Sequence, residues 1–179
     1  MIDGIKITCT GVEAHTWQNN PCLDFGAWLS EATGEITATK KAKHKHLTFT
    51  ITASNTCMIN GSLHKYYHDS NHADYYFTEI VETIRQLQSK FHINPQTAAI
   101  HALEIGVNIT LPYTPDIIIK SIICHKNKPF NILSVRDKIH GVVCEYTDYT
   151  IKFYNKQQFR EKKMQTHIHR YSLTGQISP

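Results

Sequence analysis

The sequence predicts an α+β fold: a mainly antiparallel sheet with two helices packed on one face. Three observations predict it. Strand-like runs with alternating polarity fill the first 60 residues. Two stretches with helical signals follow, one over 74–92 and one opening at Thr114. Strand-like runs then return in close succession after residue 138. The 179 residues are expected to form one domain, with a β-rich part over 1–70 and a helix-strand-helix-hairpin-strand part over 71–179.

Each element has its own signal. "GIKITCTGV" alternates, and "GEITATKKAK" and "KHLTFTITAS" follow with turn residues between them. "TCMINGSLHKYY" reads as a further strand, although the Asn60-Gly61 inside it is a pair that usually marks a hairpin turn. "HDSNH" reads as a loop. Over 74–92, Phe77, Ile80, Val81, Ile84, Leu87 and Phe91 recur at steps of three and four, the spacing of one helix face. Asn94 before Pro95 stops that helix. "AAIHALEIGVNITLP" reads as a central strand. Alternation puts Leu103, Ile105, Val107 and Ile109 on one face, and Ala102, Glu104, Gly106, Asn108 and Thr110 on the other. "YTPDIIIKSIICHK" opens the second helix, with Thr114 as N-cap, Pro115 at the first position and Asp116 in the first turn. Residues 126–138 read as a loop containing Pro129. "KIHGVVCEY" and "YTIKFYNK" predict a hairpin around Thr147-Asp148, and "THIHRYSL" a last strand.

Composition narrows the function classes. With 41% hydrophobic and 19% charged residues the chain is globular. No apolar run reaches about 18 residues, so no transmembrane helix is expected. "MIDGIKITCTG" lacks a basic segment followed by an apolar one, which argues against a secretory signal. Five cysteines without C-x-x-C spacing argue against a disulfide framework or zinc ribbon and for a reducing cytoplasm. Net charge is +4. Residues 1–113 hold 8 Lys/Arg against 10 Asp/Glu, and residues 114–179 hold 11 against 5. The C-terminal third is therefore the basic part, as expected of a surface facing an anionic polymer; the alternative is a solvated basic face. No P-loop, dinucleotide fingerprint, G-x-S-x-G elbow or kinase signature is present.

Several residues could do chemistry. Glu104 stands mid-strand among small neighbours, where a carboxylate could hold a hard divalent cation; otherwise it is a solvent-facing Glu. Tyr154 alternates onto the polar face with Lys152 and Lys156, away from Ile151 and Phe153. Two lysines there suit a bound phosphate and favour the phenolate, whereas an exposed cross-strand tyrosine is the structural alternative. His44/His46 and His167/His169 are His-x-His pairs, and histidines at i, i+2 in a strand point the same way and can share a metal ion. The earlier pair reads more simply as a basic strand end. The segment "GSLHKYYHDSNHADYYF" interleaves rings with cations, a mixture suited to single-stranded nucleic acid.

Three segments, "GSLHKYY", "LEIGVNITLP" and "EYTDYTIKFYNKQQF", occur in this order over roughly residues 55–172. Together they resemble the phage and plasmid rolling-circle replication initiators of the filamentous-phage gene II/X type, in their Bacteroidetes versions. The resemblance implies a nickase-like fold and an endonuclease that cuts one strand of origin DNA. A tyrosine hydroxyl becomes joined to the 5′ phosphate, with Mg²⁺ or Mn²⁺ polarising it. On this chain it implies Tyr154 as nucleophile, Lys156 as the phosphate-steadying cation and Glu104 as metal ligand. His64, Lys65 and Tyr66 would line the DNA path, with Lys152 and Arg170 as further DNA contacts. Members of the family place a glutamate after an Arg-aromatic pair in the last shared strand. Here Arg170 and Tyr171 are followed by Ser172, and His167 or His169 would substitute as metal ligand. Members also run longer, as expected if this chain is a truncated or frame-shifted relative. Two rival readings are a DNA-binding regulator of the same fold without catalysis, and an unrelated interaction domain whose tyrosines are structural.

Overall fold

A computed structural model describes residues 2–29, 34, 36–71, 73–135, 138–156 and 171–177. It is an α+β fold dominated by antiparallel sheet, and its described part forms two compact units that divide within one strand, after Leu103.

In the first unit the elements are β1 (Ile2–Cys9), α1 (Ala14–Gln18), β2 (Gly26–Leu29), β3 (Ile36–His44), β4 (Leu47–Ile51), β5 (Cys57–Ser62), α2 (Leu63–His68), α3 (Phe77–Phe91) and the start of β6 (Ala98–Ile109). The strand order is β2-β3-β4-β5-β1, with β6 next to β1. Register and polarity agree row by row. Ala42, Phe49, Ile59 and Ile7 are matched across β3, β4, β5 and β1, and all four are buried. The helices cover that face. Trp17 of α1 meets Phe49 edge-on at 5.1 Å, and Phe91 of α3 meets it at 4.5 Å. The Trp17 indole also donates to the Phe91 carbonyl at 2.9 Å, which satisfies the one polar atom of a fully buried ring.

The predicted helix over 74–92 is α3, started by Tyr76, whose N–H donates to the Glu79 carboxylate at 2.8 Å, and ended by His92 in the left-handed conformation. Its inward stripe includes Thr83, Leu87 and Phe91, whereas Phe77 is 78% exposed. Thr83 is held inside by the Tyr75 hydroxyl at 2.6 Å, so a polar residue occupies a position the apolar spacing had skipped.

Two corrections fall here. The chain has four described helices, not two: α1 and α2 are too short to carry a periodic signal. And "TCMINGSLHKYY" is a strand followed by a helix. Asn60-Gly61 makes no hairpin turn; Gly61 pairs with both Ile5 and Leu47. A Cβ at Gly61 would run into the His46 carbonyl oxygen, so glycine permits the close approach of two strands, and its φ of +148° suits no other residue well. Ser62 then caps α2, its side chain accepting from the Lys65 N–H.

From Glu104 onward β6 belongs to the second unit. There follow α4 (Pro115–Ser121), β7 (Cys124–His125), β8 (Lys128–Pro129), β9 (Asn131–Val135), β10 (Lys138–Glu145), β11 (Tyr149–Asn155) and β12 (Tyr171–Ile177). The order is β6-β12-β11-β10-β9. Helix α4 begins as expected, with Thr114 at the cap and Pro115 first. It buries Ile119 against Val142, with Phe130, Ile139 and Phe153 around them. The hairpin β10–β11 turns at Thr147-Asp148 as predicted. The expected loop over 126–138 instead holds β8 and the edge strand β9; pairing with β10 outweighs the nearby Pro129. Among the described residues no helix is long and apolar enough to cross a membrane.

Candidate functional site

The candidate site lies in the second unit, on β6 and at the end of β11. Tyr154 stands on β11 opposite Gly141 of β10 on one side and Ser172 of β12 on the other. Its neighbour Phe153 joins the core around α4, so Tyr154 projects from the other face of the strand, as alternation predicts. The ring is half-buried, and Lys152 beside it on that face is half-buried too. Gly141 makes room: a Cβ there would lie 2.8 Å from the Tyr154 Cβ. The β9–β10 register shifts between Ile139 and Gly141, an irregularity of the kind that re-aims side chains next to functional sites.

Lys156 directly follows β11 and is buried. Its ammonium donates to the Asn108 side-chain oxygen at 3.1 Å. That bond ties the end of the tyrosine strand to the Glu104/Gly106/Asn108 face of β6. This face is the covered one. Gly106 is buried and Glu104 and Asn108 are half-buried, whereas Ile105, Val107 and Ile109 are 41%, 52% and 40% exposed. On this part of β6 the apolar stripe is therefore the more exposed one, and Glu104 stands half-buried on the other. Glu104 and Tyr154 are not on adjacent strands, because β12 lies between β6 and β11. Two strand spacings put β6 and β11 about 10 Å apart across the sheet.

Tyr146, at the turn between β10 and β11, is structural. Its hydroxyl donates to the His125 carbonyl at 2.6 Å, its ring stacks on Tyr149 at 4.6 Å, and desolvation together with the Cys144 contact pushes its phenol up to about 12.

No known family profile matches the chain, and no curated protein sequence matches it. The chain is similar in structure to the rolling circle replication initiator protein from Geobacillus stearothermophilus. The TM-score is 0.48 at 11% identity, with 99% of this chain and 73% of that one covered. A likeness of that degree does not establish a family.

The remaining expected site residues are placed differently. His64 and Tyr66 are fully buried on α2, so neither is presented to a DNA strand in this structure; Lys65 between them is half-buried. This corrects the view of "GSLHKYY" as a strand lining a path. His64 stacks face to face on Tyr75 at 4.9 Å and meets His68 at 5.3 Å. His68 in turn lies 3.2 Å from the Glu79 carboxylate. Burial raises the Tyr66 phenol, and Lys45 sits 4.9 Å above its ring. The signal for a helix was present in the sequence: Ser62 is an N-cap residue with three helix-compatible positions behind it. His167, His169 and Arg170 lie outside the described residues. Of the earlier pair, His44 is half-buried against Phe91 and Tyr66, its basicity lowered by desolvation, while His46 is exposed. Among the described residues no three His, Cys, Asp or Glu side chains are gathered so that they could hold a metal ion.

Proposed function

We propose that the chain initiates rolling-circle-type replication in the cytoplasm by nicking one strand of origin DNA through Tyr154. The observation that carries this reading is the Lys156–Asn108 hydrogen bond. It sets a buried cation two residues after the tyrosine and joins that strand to the carboxylate-bearing face of β6. The segments that resemble rolling-circle initiators would put that family's acidic residue and tyrosine on these same two strands.

In the reaction the Tyr154 oxygen attacks the scissile phosphorus. The bond from phosphorus to the 3′ oxygen breaks, the phenol proton is lost to solvent, and the 3′ oxygen takes up a proton to become the hydroxyl that primes synthesis. Lys156 steadies the negative charge that builds on the phosphoryl oxygens, and Lys152 holds the entering strand. Glu104, with His167 or His169, would hold Mg²⁺ or Mn²⁺; the bound ion supplies Lewis-acid polarisation of the phosphate. Glu104 fits a hard cation by its oxygen chemistry.

A second reading, a DNA-binding regulator without catalysis, is favoured by one residue. Ser172 occupies the position directly across from Tyr154 where the resembled family carries a glutamate.

The test is covalent capture. The protein is incubated with a randomised single-stranded library and Mn²⁺ or Mg²⁺, then denatured and resolved on a gel. The expected result is a protein–DNA adduct, absent from Tyr154→Phe. No adduct with either metal sinks the nicking reading and leaves the regulator. An adduct retained by Tyr154→Phe removes Tyr154 as the nucleophile.

A further inference from the structure

We propose that the lysine-bearing face of the first unit's sheet is a docking lane for a single strand of DNA, held through its phosphates. The proposal rests on the reading that the chain acts on single-stranded DNA and adds to it a surface that no site residue above occupies.

The lane is written in the strand registers. Lys43, Thr48, Asn60 and Lys6 are matched in one line across β3, β4, β5 and β1. Lys41, Thr50, Met58 and Thr8 form a second line, which His101 of β6 prolongs by a hydrogen bond to the Thr8 hydroxyl at 2.7 Å. Between these two lines runs the buried row that contains Phe49 and Ile59, which points to the opposite face. Helices α1 and α3 pack on that opposite face. On the outward face Lys6, Lys41, Lys43, Asn60 and His101 are exposed.

None of the nine outward positions carries a carboxylate. Three lysines in two rows that carry no carboxylate call for an anionic partner. Strand spacing makes each four-strand row about 14 Å long, and the strand rise puts the rows about 7 Å apart. A single strand is the occupant because the proposed reaction acts on one strand, and a duplex is an outcome of the test. Hydroxyl and amide groups between the lysines are the usual partners of phosphate oxygens. No Phe, Tyr or Trp stands in either row, so the lane reads backbone more than bases. A membrane surface is disfavoured because Met58 is the only apolar side chain of any length in the rows.

The test measures affinity of the Tyr154→Phe protein, which excludes covalent capture, for a labelled oligothymidine of about 16 nucleotides. Affinity is followed from about 50 to 200 mM salt. Lys6→Gln/Lys41→Gln/Lys43→Gln is expected to weaken binding about tenfold or more at the low-salt end and to reduce the salt slope by about 2. Each single Lys→Gln change should reduce the slope by about 0.7, which keeps the test valid if the triple variant folds poorly. Removing two exposed cations from α3, as Arg85→Gln/Lys90→Gln, should leave the slope unchanged. The proposal is overturned if the triple variant binds like its parent or if the α3 variant loses as much. It is also overturned if a duplex, or phosphatidylserine vesicles, bind more tightly through the same three lysines. Absence of the Tyr154 adduct in the wild-type protein would sink the nicking reading and leave this result standing.

Discussion

Tyr154 and Ser172 occupy directly opposed positions on the antiparallel strands β11 and β12. Opposed residues in such a pair lie about 4.5–5.5 Å apart at Cα and belong to the same face. Position 172 is therefore the backbone position of β12 paired with the candidate nucleophile. Ser172→Glu is expected to raise the yield of Mn²⁺-dependent adduct about tenfold at limiting metal, the scale on which supporting groups tune metal affinity. Adduct titrations against Mn²⁺ check this. An unchanged or lower yield would remove position 172 from the metal site.

Gly141 gives Tyr154 its place. A side chain there would press on the Tyr154 Cβ and on the Phe153 carbonyl oxygen. Gly141→Ala should cost about 1–3 kcal/mol in stability, because β11 has to move away from β10. Urea unfolding measures it. The same variant should lose adduct formation at temperatures where it remains folded, since the displaced strand carries the nucleophile.

The cysteines divide by burial. Cys9, Cys57 and Cys144 are buried, and Cys22 and Cys124 are exposed. Desolvation, with the nearby Cys57, pushes the Cys9 thiol up to about 12, so at neutral pH it is both covered and un-ionised. A thiol reagent added to the native protein should modify two cysteines quickly and the other three only on unfolding. Mass spectrometry counts the adducts, and fast labelling of Cys9 would contradict the first unit's core.

Glu79 links helix entry to pH. The Tyr76 N–H above all, and His68 to a lesser degree, hold its carboxyl below the ordinary 4.5. A depressed carboxyl contributes stability that is present above its unfolded value and is lost as pH falls through the folded one. Wild-type melting temperature should therefore drop as pH goes from about 5 toward 3, beyond the drop shown by Glu79→Gln. Parallel melting curves for the two proteins would exclude this role.

Elements marked by a period, or by a start or turn signal that was recognised, were legible, and the two shortest helices were not. Helix α3, the strand of Glu104, the Thr114 helix start and the turn at Thr147-Asp148 all carry a repeated or local chemical signal, and all four are present. Helices α1 and α2 span 5 and 6 residues, too few for a period to show, and they form because tertiary burial of Trp17, His64 and Tyr66 holds them. The apolar alternation of Ile105, Val107 and Ile109 did not mark a buried face. Periodicity tells which residues share a side, not which side is covered. Charge totals misled in a similar way. Residues 1–113 carry more acids than bases, yet Lys6, Lys41 and Lys43 share one surface, which only the register of four strands reveals.

That register has a consequence for folding. Side chains alternate along β3, so a slip of one residue against β4 would turn Lys41 and Lys43 inward, toward Trp17 and Phe91, and Ala42 outward. An uncompensated ammonium in that apolar interior is prohibitive. The lysines thus act as proofreaders of strand assembly, rejecting the shifted pairing before the core closes. Replacing them with leucine would remove that rejection, and mispaired, aggregation-prone chains should accumulate during refolding even though the native sheet could hold every one of the new side chains.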